Sequence, residues 1–145
     1  MKIPMKVDYG VRALVELALH YGDRHIQTAV IARQQGIPEA YLAQLMPSLN
    51  KFGFVQSRRG PQGGHALAMD PKDIDLNMVM DRLDSNSSPL DCLVNPHDCA
   101  LSESCAQQEV WKTVEASVRN VLISVSRLYG SCSRLVKLQT PNSGE

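Results

Sequence analysis

Apolar residues recur at helical spacing through the first part of the chain, and this period predicts a helix from about Tyr9 to Tyr21. Gly22 follows it as a helix-ending residue. The expected buried face of this first helix consists of Val11, Leu14, Val15, Ala18 and Tyr21. We therefore expect the chain to begin with an amphipathic helix.

Two further helices are predicted at close spacing. Thr28 is a candidate N-cap for a helix over residues 29–35, which ends at Gly36. Pro38 suits the first turn of a third helix, and Pro47 predicts a kink or a shortening inside it. The expected buried face of the third helix consists of Tyr41, Leu42, Leu45 and Leu49. Two short helices around a glycine-containing turn are typical of a helix-turn-helix.

The period changes after Gly53. Residues 54–57 and 66–69 predict two short strands around a turn-rich stretch that begins with Arg58 and Arg59. A hairpin in this place is the wing of a winged helix. Its arginines suit phosphate contact or a narrow minor groove, and the alternative is an exposed loop with solvated arginines.

The second half of the chain predicts a short helix, a polar linker and a long helix. The apolar positions of the short helix are Leu76, Val79, Met80 and Leu83. The long helix, from about Gln107 to Tyr129, carries an apolar seam with the spacing of a coiled coil. The seam consists of Val110, Val114, Val118, Val121, Val125 and Leu128. It is a candidate dimer interface, and the alternative is packing against the chain's own core.

The predicted fold class is mainly α with a small β-hairpin, a winged helix-turn-helix followed by a long C-terminal dimerisation helix. Residues 1–84 are expected to form the DNA-binding domain and residues 85–106 a cysteine-bearing loop. Residues 107–131 are expected to form the dimerisation helix and residues 132–145 a flexible tail.

Composition and charge narrow the class of protein. The amino terminus has no apolar run long enough for a signal peptide, and nothing approaches a membrane span, so a cytoplasmic location without a membrane partner is expected. The net charge is zero, but residues 1–65 hold eight basic and four acidic side chains, whereas residues 66–145 hold seven and eleven. A basic half beside an acidic half favours a DNA-binding module joined to a partner-binding module.

Three cysteines, Cys92, Cys99 and Cys105, lie in one short polar segment with the spacing C-x6-C-x5-C. Structural disulfides are rare in the cytoplasm, and zinc sites mostly use tighter cysteine pairs. Iron–sulfur clusters take thiolate ligands, usually four. The segment therefore favours such a cluster, with a fourth ligand from elsewhere, while Cys132 is expected to be a free thiol.

Several motifs together resemble a known family. Residues 9–14 (Tyr-Gly-Val-Arg-Ala-Leu), the pair Tyr41-Leu42, residues 58–64 and the three cysteines followed by Trp111 are similar to the Rrf-type family of winged-helix iron–sulfur transcription regulators, which has IscR-, NsrR- and RirA-like members. The resemblance implies a homodimer that binds palindromic double-stranded DNA. It also implies that the three loop cysteines, Cys92, Cys99 and Cys105, ligate a cluster, for which 4Fe–4S is favoured over 2Fe–2S.

The fourth ligand divides the members of that family. IscR-like members use a histidine three residues beyond the last loop cysteine, where this chain has Gln108. NsrR-like members use an aspartate near the amino terminus of the other subunit, and Asp8 stands at the matching place. A carboxylate is a hard, weak ligand for cluster iron, which would leave that iron open to nitric oxide or oxygen. The alternatives are that Asp8 caps the first helix and that His97 is the ligand.

The candidate DNA-binding residues lie on the third helix and the wing. Gln44 is the best candidate for contact with a base edge, since glutamine can pair with adenine through two hydrogen bonds. The whole predicted set is Tyr41, Gln44, Lys51, Arg58, Arg59, Gly60, Gly63 and Gly64.

These observations lead to one hypothesis and two alternatives. The leading hypothesis is a homodimeric regulator, a repressor rather than an enzyme, whose operator binding responds to nitric oxide, oxygen, redox state or iron supply through its cluster. The first alternative is a cluster-free regulator of the same fold that acts through thiol oxidation or a protein partner. The second is an iron–sulfur electron carrier.

Overall fold

A computed structural model describes residues 3–85, 88, 90–101 and 104–125 of the chain. The elements follow in the order α1 (Met5–Leu19), α2 (Thr28–Gln35), α3 (Glu39–Lys51), β1 (Val55–Arg58), β2 (Gly64–Leu67), α4 (Leu76–Leu83), α5 (Asp91–Val94) and α6 (Ala106–Val125). Short 3-10 turns occur at Pro71–Asp73 and Pro96–Asp98. The predicted fold class is confirmed: the chain is a winged helix-turn-helix with a long C-terminal helix.

The first helix differs from its prediction in start, end and buried face. It begins at Met5 and ends at Leu19, and Tyr21 is exposed. The predicted face is only half-buried at Val11, Val15 and Ala18, and the fully buried positions are Val7, Gly10, Ala13, Leu14, Glu16 and Leu17. The reason is tertiary: α1 packs against α2, α3, α4 and β2, so several sides of the helix meet neighbours.

The helix-turn-helix consists of α2 and α3. Gly36, in the left-handed conformation, ends α2. Gln27 rather than Thr28 occupies the N-cap position, because the Thr28 hydroxyl bonds to His65 on the hairpin instead. The expected shortening at Pro47 does not occur, since α3 continues to Lys51. Proline removes one helical hydrogen bond, but both Pro47 and Ala43, whose carbonyl loses that bond, are exposed to water.

The hairpin pairs β1 and β2 antiparallel, with Val55 opposite Leu67 and Arg58 opposite Gly64. Both strands therefore lie within one or two residues of their predicted places. A third segment joins them: Ile26, in the turn before α2, exchanges two backbone hydrogen bonds of 2.8 Å with His65. The wing is thus fastened directly to the start of the helix-turn-helix.

The core lies between α1, α2, α3, the hairpin and α4. Its largest fully buried side chains are Phe54, Leu14, Leu17, Ile31, Leu42, Leu49 and Val79. Each is worth about 1.5–3 kcal/mol when removed from water. Glu16 is buried among them, where it accepts a hydrogen bond of 2.7 Å from Gln35 and lies 3.4 Å from His20. This carboxylate links α1 to α2.

The long helix α6 packs against α4. Arg119 of α6 lies 3.4 Å from Asp81 of α4 and 3.2 Å from Glu115 of its own helix, and Leu122 packs at the edge of the core. Residues 126–129, at the predicted end of this helix, lie outside the described residues. None of the helices in the described ranges is long and apolar enough to cross a membrane.

Candidate nucleic-acid interface and metal site

One side of α3 faces solvent. Its buried side is formed by Leu42, Leu45, Met46 and Leu49, so the helical period turns Ala43, Gln44 and Pro47 outward. Gln44, the predicted base contact, is exposed, and Lys51 is exposed at the end of the helix. This arrangement leaves the outer side of the second helix of the motif free to enter a major groove.

The wing presents Arg58 and Arg59 to solvent. Its turn is tight: a Cβ added at Gly63 would meet backbone atoms of Arg58, Arg59 and Gly60. At Gly64, with φ of 139°, a Cβ would lie 2.6 Å from the Ile26 carbonyl oxygen. These glycines therefore shape the wing and bring it close to the turn before α2.

A chain of polar contacts connects the wing to both helices of the motif. His65 Nε2 lies 2.9 Å from the Thr28 hydroxyl on α2, and His65 Nδ1 lies 2.8 Å from the Ser57 hydroxyl on β1. Asn50, near the end of α3, donates a hydrogen bond of 3.2 Å to the same Ser57 hydroxyl. We call these four residues the His65 network. They hold β1, β2, α2 and α3 in one arrangement.

Burial and charge keep His65 uncharged at neutral pH. Partial burial removes water that would stabilise the imidazolium, and the neighbouring His25 disfavours a second positive charge. Both effects lower the pKa of His65. In the neutral ring one nitrogen donates and the other accepts, which matches the two hydroxyls beside it.

Tyr41, another member of the predicted DNA-binding set, is only half-buried on α3. Its ring packs edge-on against Tyr9 of α1, with the ring centroids 5.2 Å apart. The Arg12 guanidinium lies over the ring of Tyr9, 5.8 Å from its centroid. Tyr41 therefore contributes to the packing between α1 and α3.

The three cysteines are distributed along the segment between α4 and α6. Cys92 lies in α5, Cys99 follows the 3-10 turn at Pro96–Asp98, and Cys105 directly precedes α6. All three are half-buried free thiols. Among the described residues, no three side chains of cysteine, histidine, aspartate or glutamate converge as they would around a metal ion. The donor chemistry of three free thiols fits an iron–sulfur cluster, although their side chains do not converge in this structure.

Asp8 lies inside α1 and does not cap it. The N-cap position belongs to Pro4, whose carbonyl oxygen accepts the Asp8 backbone N–H at 3.1 Å. The Asp8 side chain forms a half-exposed ion pair of 3.1 Å with Arg12, one helical turn later. The interpretation of Asp8 as a helix cap is therefore wrong. His97, the other candidate, is exposed in the cysteine segment.

The apolar seam of α6 faces away from the chain's own core over much of its described length. Val110 is 61% exposed, Val114 40% and Val121 59%, whereas Val118 is half-buried. The side chain of Val125 and all of Leu128 lie outside the described residues. The exposed valines form a strip on α6 that no other part of the described chain covers.

Sequence analysis missed the His65 network. Its members are separated by up to 37 positions, so no local period connects them. Sequence analysis also assigned His65 to the turn of the hairpin, whereas it lies in β2. Arg24, which lies in the turn before α2, was indicated only by the excess of basic residues in the first half of the chain.

Comparison with known proteins gives consistent matches. The Rrf2 family, described as an iron-dependent transcriptional regulator, matches residues 3–128. The HTH-type transcriptional regulator IscR of Aliivibrio salmonicida (strain LFI1238) is 32% identical over 126 residues, which are 87% of this chain and 74% of that protein. The structure is similar to T. potens IscR, with a TM-score of 0.75 and 31% identity over 99% of this chain and 94% of that one. It is also similar to CymR (YrzC), the global cysteine regulator of B. subtilis, with a TM-score of 0.70 and 31% identity over 84% and 89% of the two chains.

Proposed function

This chain belongs to the Rrf2 family of transcriptional regulators, and we propose that it is a homodimeric repressor whose operator binding responds to an iron–sulfur cluster on Cys92, Cys99 and Cys105. The observation that carries the proposal is the position of three free, half-buried thiols between α4 and α6 of a winged helix. The family is one of transcriptional regulators, which confirms the prediction that the chain is not an enzyme and favours a regulator over an electron carrier.

The DNA-binding surface consists of the outer side of α3 and the wing. Gln44 is placed to contact a base edge in the major groove. Arg58 and Arg59 extend from the wing toward the phosphates or the adjacent minor groove. The His65 network supports this arrangement, because it sets the angle between the wing and the two helices.

Two such surfaces act together in a dimer. The exposed strip of Val110, Val114 and Val121 on α6 is the proposed contact. A two-fold axis through this helix pair would place two copies of α3 on successive turns of a palindromic operator.

The cysteine segment is connected to the reading surface through packed helices. Cys105 directly precedes α6, α6 is held to α4 by Arg119 and Asp81, and α4 packs against α1. A bound cluster would supply iron atoms that react with nitric oxide or oxygen. A change in how the thiols are held would reach α1 through these helices, and a coupling of about 1–3 kcal/mol is enough to change operator occupancy.

A second candidate function is a regulator that responds to thiol chemistry without a cluster. Two observations favour it: the thiols do not converge within the described residues, and the similar protein CymR is named a cysteine regulator. Equal operator affinity with and without iron would support this alternative.

The first test is the content of iron and acid-labile sulfide, with the visible spectrum, in protein purified without oxygen. We expect stoichiometric iron and sulfide and an absorbance that collapses when nitric oxide is added. Cys99→Ala should lose the cluster, whereas Cys132→Ala, the matched control, should keep it. Iron-free protein that still binds its operator would overturn the cluster proposal and leave the thiol regulator.

The role of Asp8 has a matched control in its ion-pair partner. If Asp8 supplies the fourth ligand, Asp8→Ala should shorten the lifetime of the cluster in air by several fold. Arg12→Gln breaks the same ion pair, whose exposed geometry is worth at most about 1 kcal/mol, and should leave the lifetime unchanged. Equal decay rates in the wild type and Asp8→Ala would exclude Asp8 as the ligand.

A further inference from the structure

A cavity of about 530 Å³ lies between the turn before α2 and the wing. Residues 23–27 and Val30 line one side, and Arg58 with residues 61–63 lines the other. The cavity is therefore bounded by two elements that Ile26 and His65 fasten together. None of the predicted roles of this chain uses its turn-side wall.

The charge of this cavity is predominantly positive. Arg24 and Arg58 line it, Asp23 is its acidic lining residue, and His25 follows Arg24 on the turn. Both arginines are exposed. Neither forms an ion pair with any residue that the structure describes.

Three arginines elsewhere in the chain form ion pairs or hydrogen bonds with neighbouring residues. Arg12 pairs with Asp8. Arg82 donates to the carbonyl of Phe52, and Arg119 bridges to Asp81 and Glu115. Arg24 and Arg58 form no such contact with the residues that the structure describes, which leaves their guanidinium groups able to bind a ligand.

We propose that this cavity binds a backbone phosphate of duplex DNA, with Arg24 as a phosphate contact beside Arg58. The inference rests on the proposed DNA-binding surface and extends it to the turn before α2. In a helix-turn-helix the first helix crosses the DNA backbone while the second lies in the major groove. The cavity lies between the start of α2 and the wing. A DNA backbone strand that extends from α3 to the wing would therefore pass it.

The chemistry of the lining suits a phosphodiester. Guanidinium groups bind phosphate oxygens through two parallel hydrogen bonds. Gln27 and Gln62, both exposed, add neutral amide donors on opposite walls. Such a contact carries no sequence information and makes affinity depend on salt.

The test measures binding of an unselected duplex of about two helical turns (~20 base pairs) by fluorescence anisotropy. In Arg24→Gln we expect weaker binding and a log–log salt slope that is less steep by about 0.9, which makes the fall in affinity between 50 and 200 mM salt about 3.5-fold smaller. Arg24→Lys should restore most of the slope. Arg33→Gln is the matched control, since Arg33 is also exposed and unpaired among the described residues but lies at the other end of α2.

Two results would overturn the inference while the proposed function stands. One is an unchanged salt slope in Arg24→Gln when Arg58→Gln reduces it. The other is an Arg24-dependent rise in melting temperature with inorganic phosphate, but no effect of Arg24 on duplex binding, which would assign the cavity to a free phosphate. Failure of the wild type to bind any duplex would instead overturn the DNA-binding proposal itself.

Discussion

At the scale of single residues, His65 connects several elements of the DNA-binding domain. Its backbone pairs with Ile26, and its two ring nitrogens reach Thr28 and Ser57. His65 therefore connects β2 to the turn before α2 through its backbone, and to α2 and β1 through its ring. Partial burial of the ring favours its neutral form, in which one nitrogen donates and the other accepts.

The lowered pKa of His65 has a defined consequence for stability. The unfolded chain takes up a proton near the ordinary histidine value of about 6.5, whereas the folded chain resists it because of burial and His25. The unfolded state therefore binds more protons below that value, so the free energy of unfolding falls as the pH drops from about 6.5 toward the folded pKa.

Urea unfolding at pH 7.5 and below pH 6 measures this effect. The loss of stability at low pH should be smaller in His65→Gln than in the wild type. His97→Gln, which removes an exposed histidine, should keep the wild-type loss. If His65→Gln loses as much stability as the wild type over this range, another group is responsible.

At the scale of elements, the helices and the hairpin were predictable because their signals are local. The period of α4, the glycine after α2 and the glycine-rich turn of the wing each act within a few residues. The buried face of α1 was not predictable, since it depends on four neighbouring elements that the sequence separates. The positions of the three thiols were likewise not predictable. Their spacing in the sequence indicates metal-binding chemistry, but it does not determine where the three side chains lie relative to one another.

The tight turn of the wing predicts a specific loss of function. In Gly63→Ala the new methyl group would overlap the backbone of the turn, and relief of such overlap typically costs about 1–3 kcal/mol. We expect a lower free energy of urea unfolding and a several-fold loss of duplex affinity. Gln62→Ala, next to it and exposed, should unfold like the wild type. Wild-type stability and affinity in Gly63→Ala would show that the turn can relax.

At the scale of the whole molecule, the N-terminal part of the chain forms the core, and the long C-terminal helix lies at its edge. The compact core and the reading surface use residues up to Leu83, whereas α6 contributes mostly its Leu122 edge to that core and leaves a valine strip exposed. The exposed strip is what assembly would cover.

Replacement of one seam valine should separate the proposed dimer. A glutamate at position 121 would be buried without a partner in the interface, so Val121→Glu should weaken self-association by about 2 kcal/mol or more, roughly thirtyfold in Kd. Ala116→Glu changes the opposite, exposed side of α6 and should remain dimeric. Sedimentation velocity separates the outcomes, and a monomeric wild type at micromolar concentration would contradict the proposed interface.

The backbone bridge between Ile26 and His65 bears on how such regulators diverge. The position of the wing relative to α3 depends on this bridge and on the His65 network as well as on the hairpin itself. A change in the register of the bridge would shift the wing relative to α3. On the proposed DNA-binding surface, such a shift would alter the distance between the wing and the exposed side of α3, and the preferred operator spacing would change without any change in the residues proposed to contact bases.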